Sequence, residues 1–248
     1  MRHLVKARND ELPVVAAPPH GAVRGVLPRL AHQSMQDRVY GELKLAVMAG
    51  AFSPGQAITT QELADRFGTS TMPIRDALRR LAAERVMITL SNRSVAVPEL
   101  TAERFEDLLR VRIVLEGQAV EWATQHLTPQ ELAELARINA EMNKRVVQKD
   151  VNRFLVLNQE FHFAIYRAAR SAVLLPVIEG MWLQIGPYIN LLIHAMTGER
   201  RRNVRHDAAF QALRSGDAAS ARREVVGDLE DSAARIRPLL SSGVQAVG

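Results

Sequence analysis

Arg75 and Arg79 stand four residues apart, beside an apolar set at Ile74, Ala77, Leu78 and Leu81. On a helix that spacing puts both guanidinium groups on one face, turned away from the apolar stripe. A guanidinium presented in this way can donate two hydrogen bonds to guanine O6 and N7, worth about 1–3 kcal/mol of discrimination between bases. Just ahead lie Ser70 and Thr71, whose hydroxyls suit phosphate contacts that set register, with Met72 and Pro73 at the same end. Asn92 and Arg93 occupy the polar tip between two β-prone runs, within reach of a groove or of phosphates. Catalytic chemistry has no comparable foothold. The 248 residues contain no cysteine, which excludes a disulfide framework, a thiolate metal site and a cysteine nucleophile. Neither a nucleophile–base constellation nor an HExxH-type metal motif occurs.

These residues need elements to hold them. Residues 34–49 place Val39, Leu43, Ala46 and Val47 on one helical stripe, and Gly50 follows where helices often stop. A turn at Ser53-Pro54-Gly55 leads to a short helix from Thr60 to Phe67-Gly68. Thr69-Ser70-Thr71 then makes a tight connection to a third helix over about 72–85. Residues 87–97 read as a hairpin. Three helices and a hairpin with a tight second turn describe a winged helix-turn-helix, in which the third helix enters the major groove. Beyond Pro98 the pattern is helical to the end. Helices are expected from Thr101 to about Gln125, from a capping box at Thr128-Pro129-Gln130-Glu131, and from Asp150 to about Ala169. Another covers 172–196, where Pro187 should kink or break it, and two more cover 198–214 and 217–238. The fold class is therefore mainly α: an N-terminal winged helix-turn-helix at 34–99 and an all-α antiparallel bundle at 100–240. A flexible leader at 1–33, rich in proline, and a tail at 241–248 flank them.

Lys and Arg number 32 against 27 Asp and Glu, a net charge of +5, and 47% of residues are hydrophobic, ample for packed cores. No apolar run approaches the roughly 18 residues of a membrane span, and the first residues do not form a secretory signal. A cytoplasmic protein is the expectation. The 34–99 module carries 8 basic and 7 acidic residues, so bulk charge lends DNA binding little support. On pattern alone, a solvated amphipathic face remains open as the alternative.

The run Gly50-Ala51-Phe52-Ser53-Pro54-Gly55, then Glu62-Leu63-Ala64, then Gly68 through Leu81 resembles the GntR family of bacterial transcription regulators, in order and spacing across the whole module. The resemblance implies operator contacts from Arg75, from residues 70–73, from the start of the second helix near Gln61, and from the wing tip. Arg85 and Ser94 stand where the family usually has glycine, at positions that tend to need positive φ. Gln61 stands where some relatives have arginine.

The bundle resembles the FCD ligand-binding domain of the FadR-type branch, through Val111–Glu116, Asn158-Gln159-Glu160-Phe161-His162, Arg205-His206 and Gly216-Asp217-Ala218. Many such domains hold a divalent metal through an aspartate and three histidines. Aligned by these motifs, the positions are Asn158, His162, His206 and Asp228. Zinc, nickel and manganese all suit such a mixed N/O set, and an amide oxygen in place of a carboxylate implies weaker binding. The alternative is a polar cavity that takes water or effector directly. The resemblance also places Arg112 to receive an acidic effector, as its guanidinium can grip a carboxylate bidentately; the competing reading pairs it with Glu116, one turn on. Trp182, Tyr188, Asn190 and His194 are candidates for the same cavity, with core packing or dimer contact as the alternative, and His126 reads as a helix C-terminal cap.

Together these readings imply a homodimeric repressor that binds a pseudo-palindromic operator in double-stranded DNA and answers to a small organic acid. Two rivals are a metal-dependent hydrolase or isomerase built in a helical bundle, and an architectural DNA-binding protein whose bundle only dimerises.

Overall fold

The computed structural model describes residues 34–91, 94–195 and 203–241, with residues 91, 190–195 and 241 by backbone alone. The leader at 1–33, the wing-tip residues Asn92 and Arg93, and the side chains of Asn190 and His194 lie outside the described residues.

Helix α1 (Met35–Met48) starts at Ser34, whose hydroxyl accepts from the Asp37 N–H at 3.1 Å, and buries Val39, Leu43, Val47 and Met48. Helix α2 (Thr60–Phe67) is capped in the same way by Thr59 and ends on Gly68 in the left-handed region at φ 61°. That conformation is inexpensive only for glycine, and it lets Thr69 N–H reach back to the Ala64 carbonyl, closing the tight turn into α3 (Thr71–Ala83). The buried stripe of α3 is Pro73, Ile74, Ala77, Leu78 and Leu81. Arg85 follows α3 at φ 59°, the positive value expected at that position.

The wing differs from expectation. Besides β2 (Ile88–Ser91) and β3 (Ser94–Ala96), a strand β1 (Ala57–Thr59) joins to give an antiparallel sheet in the order β1-β3-β2. Three residues are too few to display alternation in a sequence; β1 exists because β3 offers it a partner, with Ala57 opposite Ala96 and Thr59 opposite Ser94. Ser94 is thus an ordinary strand residue and not the positive-φ corner expected of it.

The second domain packs α4 (Ala102–His126), α5 (Pro129–Gln148), α6 (Val151–Ala168), α7 (Leu174–Ala195), α8 (Val204–Ser215) and α9 (Ala218–Ser241), with α4 and α8 against α9 and α5 against α6. The capping box at Thr128 and Glu131 forms in both directions. Pro187 does not break α7, which runs unbroken from 174 to 195. Its neighbours Ile185 and Tyr188 are both buried, and their packing holds the helix across the lost hydrogen bond. His126 is the last residue of α4 and is exposed, and Leu127 takes the cap position.

The two domains meet where α1 packs on α7. Lys44 Nζ pairs with Glu179 at 2.9 Å, and Gly186 lies so close to the end of α1 that a Cβ there would sit 2.3 Å from the Val47 carbonyl oxygen. Leu100 N–H, in the connection to α4, donates to the Tyr188 hydroxyl. Tyr188 therefore serves the junction and the core.

Candidate functional site

The N-terminal end of α3 faces outward. Ser70 occupies the cap position, yet its hydroxyl makes no capping bond and is exposed; Met72 is 70% exposed. Arg75 and Arg79 are exposed and have no ion pair among the described residues. Arg80, next along the helix, behaves otherwise: it bonds Asp37 at 2.8 Å and lies 3.8 Å over the Tyr40 ring. The fold thus commits one arginine of α3 to structure and leaves two on the outer face. Thr71 is half-buried at the same end. Gln61 is exposed at the start of α2, with its amide spent on Asp65 at 2.8 Å. Pro73 is the exception among the expected contacts. It is buried in the core stripe, where its fixed φ suits the first turn of a helix, and its side chain does not face a groove.

Inside the bundle, α4, α6, α7, α8 and α9, with Val146 of α5, line a cavity of about 500 Å³. Asn158, His162, His206, Asp228 and Arg112 all line it, so the four aligned positions and the arginine come together from four helices. One ligand atom each from His162, His206 and Asp228 falls within 4.8 Å of the others. His162 Nε2 lies 3.3 Å from Asp228 Oδ2 and 3.2 Å from His206 Nε2. Asn158 is half-buried on the same wall and makes no hydrogen bond among the described residues.

Proton positions follow from the network behind this cluster. Glu116 is fully buried and accepts from Arg112 Nε at 2.6 Å, from Trp182 Nε1 at 3.1 Å and from the Tyr166 hydroxyl. Burial first, then Glu116, push the Tyr166 phenol well above its ordinary range, so it keeps its proton and spends it on Glu116. Its oxygen can therefore only accept from His162 Nδ1, 3.1 Å away. With one proton on Nδ1, the His162 ring turns its other nitrogen, Nε2, toward Asp228 and His206, where a lone pair on it could ligate a metal. Burial lowers His206 to about 4, which keeps it neutral at pH 7. Burial works to raise the Asp228 carboxyl, but the positive charge that protonated His206 and His162 would place beside it, together with Arg112, outweighs burial and lowers it to about 2. A carboxylate and an imidazole lone pair facing each other at 3.3 Å call for a cation or a proton between them. The donor set therefore fits a divalent metal, with the His162 tautomer fixed by its outer partner.

Arg112 answers to both of its readings. It pairs with Glu116, lies 5.2 Å from the Trp182 ring and lines the cavity, with Nη1 uncommitted among the described residues. Trp182 lines the cavity as expected of it. Sequence reasoning missed Glu116 as the acceptor for three donors, and Tyr166 as the group orienting His162. The four-residue steps from Arg112 to Glu116 and from His162 to Tyr166 were the available signal. It also missed Asn203, and Arg205 held by Asp231 at 2.9 Å and Glu224 at 3.0 Å, all of which line the cavity.

Residues 35–97 match the family described as bacterial regulatory proteins, gntR family, and residues 107–231 match the FCD domain. The chain is 30% identical over 191 residues to the HTH-type transcriptional regulator McbR of Escherichia coli K12, across 76% of this chain and 86% of that protein. It is 25% identical to the gluconate operon transcriptional repressor of Bacillus licheniformis, across 76% and 79%. The solved structure of E. coli McbR/YncC superposes with a TM-score of 0.79 at 27% identity, covering 84% of this chain and 99% of that one. These relatives are regulators, and nothing in the matches supports the hydrolase or isomerase alternative.

Proposed function

The chain belongs to the GntR family of bacterial transcription regulators, in the group that carries an FCD domain, and from that premise we propose that it is a cytoplasmic, homodimeric repressor whose grip on its operator is set by a small organic acid bound in the helical cavity. Arg75 and Arg79 read base edges in the major groove, and Ser70 and Thr71 hold phosphates. Two copies address the halves of a pseudo-palindrome, since operator symmetry mirrors protein symmetry. Val111, Val114 and Trp122 form an exposed apolar strip along α4, suited to a second copy. No helix among the described residues is long and apolar enough to cross a membrane.

His162, His206 and Asp228 would hold a divalent metal, with the Asn158 amide as a fourth donor. When bound, the metal supplies a local positive charge and a Lewis-acidic site for a carboxylate. That contribution matters because Arg205 is already paired with Asp231 and Glu224, and Arg112 with Glu116, so neither guanidinium presents an unpaired charge to an acid. Arg112 then orients the acid through Nη1.

The observation that carries this reading is α7. Its Trp182, Ile185 and Ile189 line the cavity, while Glu179 and Gly186, on an adjoining strip, touch α1 of the DNA module. An occupant that moves α7 must move or loosen α1. Only differential affinity for the two arrangements shifts the balance, with about 1–3 kcal/mol, or roughly 5–150-fold, as the usual scale. Selection of bound duplexes from a random pool, followed by acid titrations with and without divalent metal, tests it. Enrichment of an inverted repeat and its release or tightening by an acid is expected; effector-insensitive binding would favour the architectural alternative.

A further inference from the structure

Asn203 stands at the cap position of α8, where an asparagine oxygen ordinarily accepts a backbone N–H from the first turn. Here it makes no such bond. Its amide is instead the end of a chain whose direction is set elsewhere. The Asp207 carboxylate can only accept, and it does so from Asn139 Nδ2 at 2.7 Å and Asn143 Nδ2 at 2.9 Å. Asn139 must therefore offer its oxygen outward, and it accepts from Asn203 Nδ2 at 2.7 Å. Each amide in turn is oriented by the one before it, leaving the Asn203 oxygen at the end.

That oxygen is buried and has no partner among the described residues, while Asn203 itself is only 5% exposed and lines the cavity. A buried acceptor without a donor is costly, and here a capping bond has also been forgone. The cavity's occupant is the natural source of the missing donor. Asn203 also precedes His206 by three residues, and both side chains line the same cavity. A ligand seated at His162, His206 and Asp228 therefore shares its cavity with Asn203.

We propose that Asn203 is the specificity-determining residue of the cavity: its side-chain oxygen accepts a hydrogen bond from a hydroxyl beside the carboxylate of the bound acid, which makes hydroxy acids the effector class. This rests on the acid-sensing reading above and narrows it. A hydroxyl fits better than an ammonium group, because the Glu224 and Asp231 carboxylates that would receive a cation are already held by Arg205.

Calorimetric titration of the full-length chain tests this, without metal and with Zn²⁺, Ni²⁺ and Mn²⁺ in turn. The probes are matched sets: malate, oxaloacetate and succinate; lactate, pyruvate and propionate; gluconate and hexanoate; and aspartate and alanine as amino acids. In the parent chain, the hydroxy acid of a set should bind roughly tenfold or more tightly than its oxo and deoxy partners. Asn203→Leu should shrink that preference to within about threefold while leaving the deoxy acid's affinity in place. Asn203→Ser, which spares more of the local packing, should shrink it likewise. Equal binding within every set in the parent chain would overturn the proposal without any variant being made, as would an undiminished preference in Asn203→Leu or tighter binding of amino acids. Binding of acids without preference leaves the acid-sensing reading standing and removes only this inference; binding of none removes both.

Discussion

Gly186→Ala puts a methyl group where α7 meets the end of α1, and the contacts it would make are with backbone. An alanine Cβ would lie 2.3 Å from the Val47 carbonyl oxygen, 2.7 Å from Met48 Cα and 2.8 Å from the Met48 carbonyl oxygen. None of these atoms can rotate away, so α1 must retreat by about 1 Å, the kind of overpacking that costs about 1–3 kcal/mol. Removing a glycine from a helix returns about 0.5–1 kcal/mol. With backbone on both sides the upper end of the penalty applies, and the net loss is about 2 kcal/mol, or roughly 4–8 °C in Tm for a chain of this size. Gly180→Ala supplies the control. It lies on the same helix, and a Cβ there meets nothing within 4 Å, so it should raise Tm by roughly 1–4 °C. Thermal melts read the stability arm. Operator affinity with and without the acid reads the other, and Gly186→Ala should keep less than about half of the parental coupling free energy. If Gly186→Ala melts like Gly180→Ala and transmits the acid's effect in full, then α7 is not the route between cavity and DNA.

Arg75→Ala should weaken operator binding by about 1–3 kcal/mol and flatten selectivity at one base pair, with an unchanged melt; unchanged operator affinity, read by gel shift across single-base operator variants, would remove the assignment. Arg80→Ala should do the reverse, losing a fraction of a kcal/mol of stability with its Asp37 and Tyr40 contacts and little affinity for DNA. His162→Ala with His206→Ala should abolish metal retained after dialysis, measured by elemental analysis, whereas Asn158→Asp should raise retention because a carboxylate is a better ligand than an amide. Full metal content in the double variant would move the site elsewhere. His206 is lowered to about 4 in the fold against 6.5 when unfolded, so below pH 6.5 the unfolded chain takes up the proton first. Stability of the metal-free chain should accordingly fall between about pH 6.5 and 4, by about 3 kcal/mol at the lower limit, and the slope should disappear in His206→Gln; melts across that range decide it.

Legibility from the sequence varied with the range of the interactions involved. The Thr128–Glu131 capping box, the Gly68 turn and the apolar stripe of α3 are local, and each appears in the structure where the residues put it. Strand β1 was invisible because three residues become a strand only when β3 lies alongside. Pro187 misled because its local rule is outweighed by the burial of Ile185 and Tyr188 on either side. Pro73 misled differently: it stands in the first turn of α3 as the sequence placed it, but which way it points depends on the core beneath.

The residues of the candidate site were nameable in advance, because His162 and His206 sit in motifs that carry the family resemblance, Asp228 follows by alignment to them, and a one-turn step such as Arg112 to Glu116 is a property of any helix. What the sequence by itself determined was therefore the inventory: the two domains, the exposed arginines of α3 and a set of polar groups able to bind a metal or an acid. The tertiary structure alone decided which of those groups are spent. Arg80 is held by Asp37 and Tyr40 while Arg75 is not, Glu116 takes three donors from three helices, and an amide chain that begins at Asp207 ends with an unpaired oxygen on Asn203. Hydrogen-bonding capacity belongs to a residue, but its remaining capacity depends on neighbours that lie tens of residues away along the chain and only a few ångströms away in space.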